Sequence, residues 1–189
     1  MLVLVGPSAS GKSAIVKNLM KNYGLEKFVT CTTRAMRVGE VNKVDYYFLT
    51  EEEFNNAYVA GEFIETVFYN GNYYGTFKKE ANDNKVVILE PQGLNNFINA
   101  GVDVFSVFLQ TDEKVLEERM LGRGDLPLEV NKRLQNDRIL FDKNQLSKID
   151  YTIDTTNLSI DEITERIYVE YKNYCNIVSD SIFNHSVEQ

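Results

Sequence analysis

Residues Gly6-Pro7-Ser8-Ala9-Ser10-Gly11-Lys12-Ser13 place two glycines, a lysine and a hydroxyl at the spacing G-x-x-x-x-G-K-[ST]. Each type has a task beside a polyphosphate. Glycine lets the chain bend around phosphate oxygens with no Cβ in the way. Successive backbone N–H groups and the helix N-terminus favour the anion. Lys12 can bridge the β- and γ-phosphates of a nucleoside triphosphate, and Ser13 can set its hydroxyl on Mg²⁺. Gly6, Ser8, Ala9, Ser10, Gly11, Lys12, Ser13 and Ala14 are the expected donor-phosphate residues, with Ser13 the expected metal ligand. The motif lies between an apolar run, Met1 to Val5, and a helical stripe of Ile15, Val16, Leu19 and Met20. That strand–loop–helix setting is the one it requires.

A second constellation follows. Thr32-Thr33-Arg34-Ala35-Met36-Arg37-Val38-Gly39-Glu40 precedes Val44-Asp45-Tyr46-Tyr47-Phe48, then Gly61-Glu62-Phe63-Ile64-Glu65 and Gly71-Asn72-Tyr73-Tyr74-Gly75-Thr76. Two arginines three apart in a loop suit a planar, bidentate grip on a phosphate, which tyrosine hydroxyls can complete. Taken alone, an arginine pair is more often a solvated surface feature.

In this order and spacing the segments resemble guanylate kinases, from about residue 2 to 158. The resemblance implies phosphoryl transfer from ATP, with Mg²⁺, to GMP or dGMP. It implies that Arg34, Arg37, Tyr46 and Tyr74 hold the acceptor phosphate, and that Glu65 accepts from guanine N1–H and the 2-amino group. It further implies that Thr30 and Thr76 donate to guanine O6, that Gly75 lies in the same site, and that Glu90 stands near the 2-amino group. Arg119, Arg123 and Arg133 resemble the arginines that close on the ATP phosphates; Lys12, Arg34, Arg123 and Arg133 would act on the transferring group. A carboxylate with hydroxyls complements guanine, whereas adenine would set its unprotonated N1 against Glu65. The chain departs from the family where Ile88 replaces an acid that organises water around Mg²⁺, at Thr66 and Met36, and at Asp154-Thr155-Thr156-Asn157. Two other readings stay open: a kinase for another or modified nucleoside monophosphate, and a non-catalytic guanylate-kinase-like module that binds a partner.

These residues need a frame. Strand patterns at 1–5, 28–32, 85–89, 102–109 and 151–153 alternate with helical ones at 12–23, 92–100, 112–121, 128–146 and from Ser159 onward. The alternation predicts an α/β fold, a doubly wound parallel sheet of the P-loop NTPase type. Between them, strands at 45–49 and 62–68, a helix opened by a Thr50/Glu53 capping box, and a turn at Asn70-Gly71-Asn72 predict a small inserted mixed α/β unit. The expected division is a core of about 1–31, 78–121 and 142–189, a monophosphate-binding unit of about 32–77, and a helical lid of about 122–141. The last dozen residues, polar in composition, are expected to be poorly ordered.

Composition narrows the classes. The chain has 189 residues, 43% hydrophobic and 25% charged, enough for one domain with a normal core. A net charge of −8 and a pI near 4.8 argue against a nucleic-acid-binding surface. Cys31 and Cys175 form no CxxC pair, and the single His185 near the C-terminus argues against a Ser-His-Asp mechanism. The apolar run at the start has five residues and no basic flank, so it reads as a strand and not a signal peptide. No stretch approaches the roughly 18 apolar residues that span a membrane. The expectation is a cytoplasmic enzyme, a monomer or small homo-oligomer, with nucleotides as its partners.

Overall fold

The computed structural model describes residues 1–69, 71–142, 146 and 148–186. The chain starts with strand β1 (Leu2–Val5), helix α1 (Lys12–Tyr23) and the short strand β2 (Glu26–Lys27). It then builds β3 (Cys31–Thr32), β4 (Tyr47–Phe48), α2 (Glu51–Val59), β5 (Phe63–Tyr69) and β6 (Asn72–Phe77). It returns through β7 (Lys85–Ile88), α3 (Pro91–Asn99), β8 (Phe105–Gln110), α4 (Glu113–Gly122), α5 (Pro127–Leu140), β9 (Tyr151–Asp154) and α6 (Ile160–Ser186).

The larger sheet is parallel, in the order β2-β7-β1-β8-β9. All four β1 residues are fully buried, as its continuous apolar sequence predicts for a strand covered on both faces. Leu2 and Leu4 meet Ile15 and Leu19 of α1 and Ile163, Ile167 and Tyr171 of α6. Met1, Val3 and Val5 point the other way, onto Leu94 and Phe97 of α3. One strand thus feeds two cores, and the sheet is doubly wound. The connection after β1 leads toward one edge of the sheet, while the connection from β7 to β8 passes across β1. That reversal opens a crevice beyond the C-terminal end of β1, where ligands of such sheets bind.

A second, mixed sheet has the order β4-β3-β6-β5. Its own core is aromatic: Phe54 of α2 stacks on Phe63 at 4.7 Å and Tyr73 at 5.2 Å, over buried Cys31 and Phe77. Gly75 is needed there, since a Cβ would meet the Phe63 ring at 3.0 Å. The Thr50/Glu53 capping box that opens α2 forms in both directions. A fourth cluster, Leu116, Met120, Val130 and Leu134, joins α4 to α5.

Four expectations shift. Met20 is 40% exposed, so the buried stripe of α1 is Ile15, Val16 and Leu19. The strand expected at 28–32 contracts to β3, because the Phe28 N–H still bonds Val86 O of the larger sheet while Cys31 pairs with Tyr47 and Gly75 of the smaller one. The helix expected at 128–146 ends at Leu140; Phe141 leaves it to pack near Phe108, and residues 143–145 and 147 lie outside the described residues. Helix α6 runs on through Ser186, into the tail expected to be poorly ordered, with 187–189 outside the described residues. Asn70 of the expected turn also lies outside them; Gly71 beside it has φ +77°. Among the described residues, no helix is long and apolar enough to cross a membrane.

Candidate functional site

The loop from Gly6 to Ser13 carries β1 into α1 at the crevice. Gly6 sits at φ +156°, and a Cβ there would meet Leu109 O at 2.9 Å. Gly11, at φ +100°, is the N-cap of α1. No side chain caps this helix and no acid occupies its first turn. Its free N–H groups and positive end are therefore left to whatever enters the crevice. The loop is braced from behind: Arg119 donates to Ala9 O and Thr155 O, and Thr155 Oγ1 donates to Ser10 O. Residues 9–14, with Arg119 and Arg123, line a hollow of about 250 Å³.

Lys12 folds back onto the loop, donating to Gly6 O at 2.5 Å and Pro7 O at 2.6 Å. Burial pulls its ammonium below the ordinary lysine value, opposed by the charges of Asp137 and Glu90. Asp137, on α5, reaches across to the loop: its Oδ2 accepts the Ser8 N–H at 2.7 Å. A carboxylate thus occupies one of the loop's anion-binding donors. Gly6, Ser8, Lys12, Ile88, Glu90 and Asp137 share a second hollow beside the first. Asp125 pairs with both Arg123, at 2.6 Å, and Arg133, at 3.1 Å.

The acceptor residues gather on the smaller sheet. Thr30, Glu65, Tyr74, Gly75 and Thr76 line one hollow of about 230 Å³, with Thr66 and Val67. Strands β5 and β6 bring them together: Glu65 pairs directly with Thr76, and Thr66 with Gly75. Arg34 lies 5.6 Å over the rings of both Tyr46 and Phe48, and Tyr46 meets Tyr74 at 6.2 Å. Its guanidinium is held by Glu40 at 2.8 Å, which keeps the arginine charged and the carboxyl below its ordinary value. Arg37 is exposed; its backbone N–H donates to Glu40 Oε2 and its carbonyl accepts the Glu40 N–H.

The geometry therefore collects residues 9–14, Arg119 and Arg123 around one hollow, and Thr30, Glu65, Tyr74, Gly75 and Thr76 around another. Arg133 stands beside Arg123 through Asp125 and does not line either. Glu90, which the resemblance sets near the guanine 2-amino group, is the N-cap residue of α3 and lines the hollow that holds Lys12. The residue that does reach Glu65 is Asn96, which donates to Glu65 Oε2 at 2.5 Å. Neither Asp137 nor Asn96 was marked by any sequence motif.

A family model described as guanylate kinase matches residues 1–171. The guanylate kinase of Mesoplasma florum is 35% identical over 87% of this chain; the match spans 59% of that protein's length. That of Blochmanniella floridana is 31% identical over 92% of this chain and 90% of its own. Among solved structures, a guanylate kinase from Anaplasma phagocytophilum superposes with a TM-score of 0.57 at 28% identity, covering 92% of this chain and 85% of its own. A glycine-rich phosphate loop on a parallel sheet, a carboxylate–hydroxyl hollow on a smaller sheet, and relatives along nearly the whole length agree: the chain belongs to the guanylate kinase family.

Proposed function

We infer that this protein transfers the γ-phosphoryl group of ATP to GMP or dGMP. The observation that carries this reading is the pairing of two dissimilar hollows: a cationic, amide-rich one around residues 9–14, and one that sets the Glu65 carboxylate beside Thr30 and Thr76. The first suits a triphosphate. The second offers acceptors and hydroxyls where guanine presents N1–H, 2-amino N–H and O6.

Roles follow from position. Lys12, once drawn off the Gly6 and Pro7 carbonyls, neutralises the transferring group, aided by Arg119, Arg123 and Arg133. Arg34, Arg37, Tyr46 and Tyr74 hold the acceptor phosphate, and Glu65 with Thr30 and Thr76 reads the base. The acceptor is already an anion, so no strong general base is needed; positioning and charge neutralisation lower the barrier. Mg²⁺ fits the donor set. Ser13 presents an exposed hydroxyl at the phosphate hollow, while Glu90 and Asp137 line the adjoining one. Among the described residues no cluster of three or more His, Cys, Asp or Glu could hold a metal ion by itself. Ser13 would therefore share the ion with phosphate oxygens, as Mg²⁺ commonly binds, and the ion would offset phosphate charge. The unit of about 32–77 and the lid of about 122–141 would close on the core and exclude water, the competing acceptor.

A coupled ADP-release assay with ATP, Mg²⁺ and a panel of nucleoside monophosphates tests the reading. Turnover confined to GMP and dGMP is expected. Turnover with AMP or a pyrimidine monophosphate instead, or none in a sample that binds GMP, would overturn it.

A further inference from the structure

Glu65 is joined to the core by a directional chain of amides. Gln92 Nε2 donates to Asn96 Oδ1 at 2.9 Å, and Asn96 Nδ2 donates to Glu65 Oε2 at 2.5 Å. Gln92 and Asn96 lie one turn apart on α3, packed in the core through Leu94 and Phe97, while Glu65 belongs to β5 of the smaller sheet. The carboxylate at the end of the chain decides how both bonds are made, since it can only accept. An amide presents oxygen on one side and NH₂ on the other. Facing Glu65, Asn96 must turn its NH₂ to the carboxylate, and its oxygen is left to accept from Gln92.

We propose that Asn96 is a specificity-positioning residue, fixing the rotation of the Glu65 carboxylate so that both its oxygens meet the guanine edge. The inference rests on the base-reading role of Glu65 given above. A carboxylate has about four lone-pair sites. One bond from Asn96 leaves room for guanine N1–H and the 2-amino N–H together. A carboxylate free to rotate would meet these two donors in one orientation among several, and ordering it would draw on the binding energy. Asn96 supplies that order before the base arrives. It is half-buried and does not line the hollow, so it acts through Glu65 and not on the nucleotide.

The test compares Asn96→Leu, Asn96→Asp and Asn96→Gln with wild type, using steady-state kinetics against GMP, IMP and ATP. Loss of a hydrogen bond to a charged group should raise the KM for GMP roughly tenfold in Asn96→Leu. KM for ATP and kcat should change little, and the preference for GMP over IMP, which lacks the 2-amino group, should shrink. Asn96→Asp, isosteric but facing Glu65 with a like charge, should be worse than Asn96→Leu. Asn96→Gln, which keeps the donor, should recover part of the loss. An unchanged or lowered KM for GMP in both Asn96→Leu and Asn96→Asp would overturn the proposal, as would equal losses for GMP and ATP. Glu65→Gln separates the two readings. If it leaves GMP binding intact, the base-reading role itself fails. If it weakens GMP while the Asn96 variants do not, only the role of Asn96 fails. Thermal midpoints of all variants, expected within a few degrees of wild type, show that the fold persists.

Discussion

Asp137 accepts the Ser8 N–H at 2.7 Å, on a loop whose free amides are otherwise open to phosphate. A triphosphate using that amide has to displace it. Replacing Asp137 by Asn keeps shape and an accepting oxygen but removes the charge. A hydrogen bond to a charged group contributes roughly 1.5–3 kcal/mol against about 1 for a neutral one. The side chain is half-buried, which places the difference toward the low end, about 1 kcal/mol, or roughly fivefold in an equilibrium constant. Two effects of opposite sign follow. The empty Asp137→Asn protein should melt about 2–4 °C lower, since about 1 kcal/mol corresponds to that shift in a domain of this size. Its Kd for ATP should fall about fivefold, because a weaker competitor leaves the amide. Calorimetric titration of ATP without Mg²⁺ or GMP measures the second effect, and a thermal scan the first. GMP affinity should not move. Weaker ATP binding in Asp137→Asn would refute the reasoning and make Asp137 a partner of the nucleotide.

The loop geometry predicts that Gly6→Ala melts about 5–10 °C lower than wild type, from a left-handed φ and a Cβ pressed to 2.9 Å from Leu109 O; an unchanged midpoint would show that the loop adapts. Glu40, Glu113 and Asp125 lie below their ordinary values, led by hydrogen bonds from Arg34, Arg138 and Arg123 respectively. Folded values below unfolded ones mean that this stability is present above the ordinary carboxylate range, 4.5 for Glu and 3.8 for Asp, and is lost as pH falls through the folded values. Melting midpoints should therefore hold steady down to about pH 5 and drop below it; a rise on acidification would contradict the pairing. Burial pushes the Cys31 thiol up to about 12, so iodoacetamide at pH 8 should leave the Cys31 peptide unmodified in the folded protein and alkylate it in denaturant.

The phosphate loop could be read from sequence because its eight residues are consecutive and each acts through its own backbone or side chain. The Thr50/Glu53 capping box was equally local. Glu65, Thr30 and Thr76 are named from the family resemblance; the antiparallel pairing of Glu65 with Thr76 sets those two side by side at one hollow. What escaped depends on chain brought together from afar. Ser8 and Asp137 are 129 residues apart, and Glu65 and Asn96 are 31 apart, one on a strand of the smaller sheet and the other on helix α3. Strand β2, two exposed residues long, has no periodicity to read and exists only because β7 offers it a partner.

The site's charges are not bare. Arg34 is paired with Glu40, Arg123 and Arg133 share Asp125, Lys12 feels Asp137 and Glu90, and the Ser8 amide is held by Asp137. In a chain with net charge −8, Arg34, Arg123, Arg133 and Lys12, four of the cations that would grip phosphate, face carboxylates of the chain itself. Binding is then an exchange of one anion for another. A carboxylate held in place by its own backbone has an entropic advantage over a small free anion, which gives up translational freedom and gains only a single contact. A nucleotide overcomes that advantage because one molecule brings several phosphate oxygens and a base together. The internal carboxylates thus raise the threshold for simple anions more than for the intended ligand, which is discrimination by penalising the wrong partner.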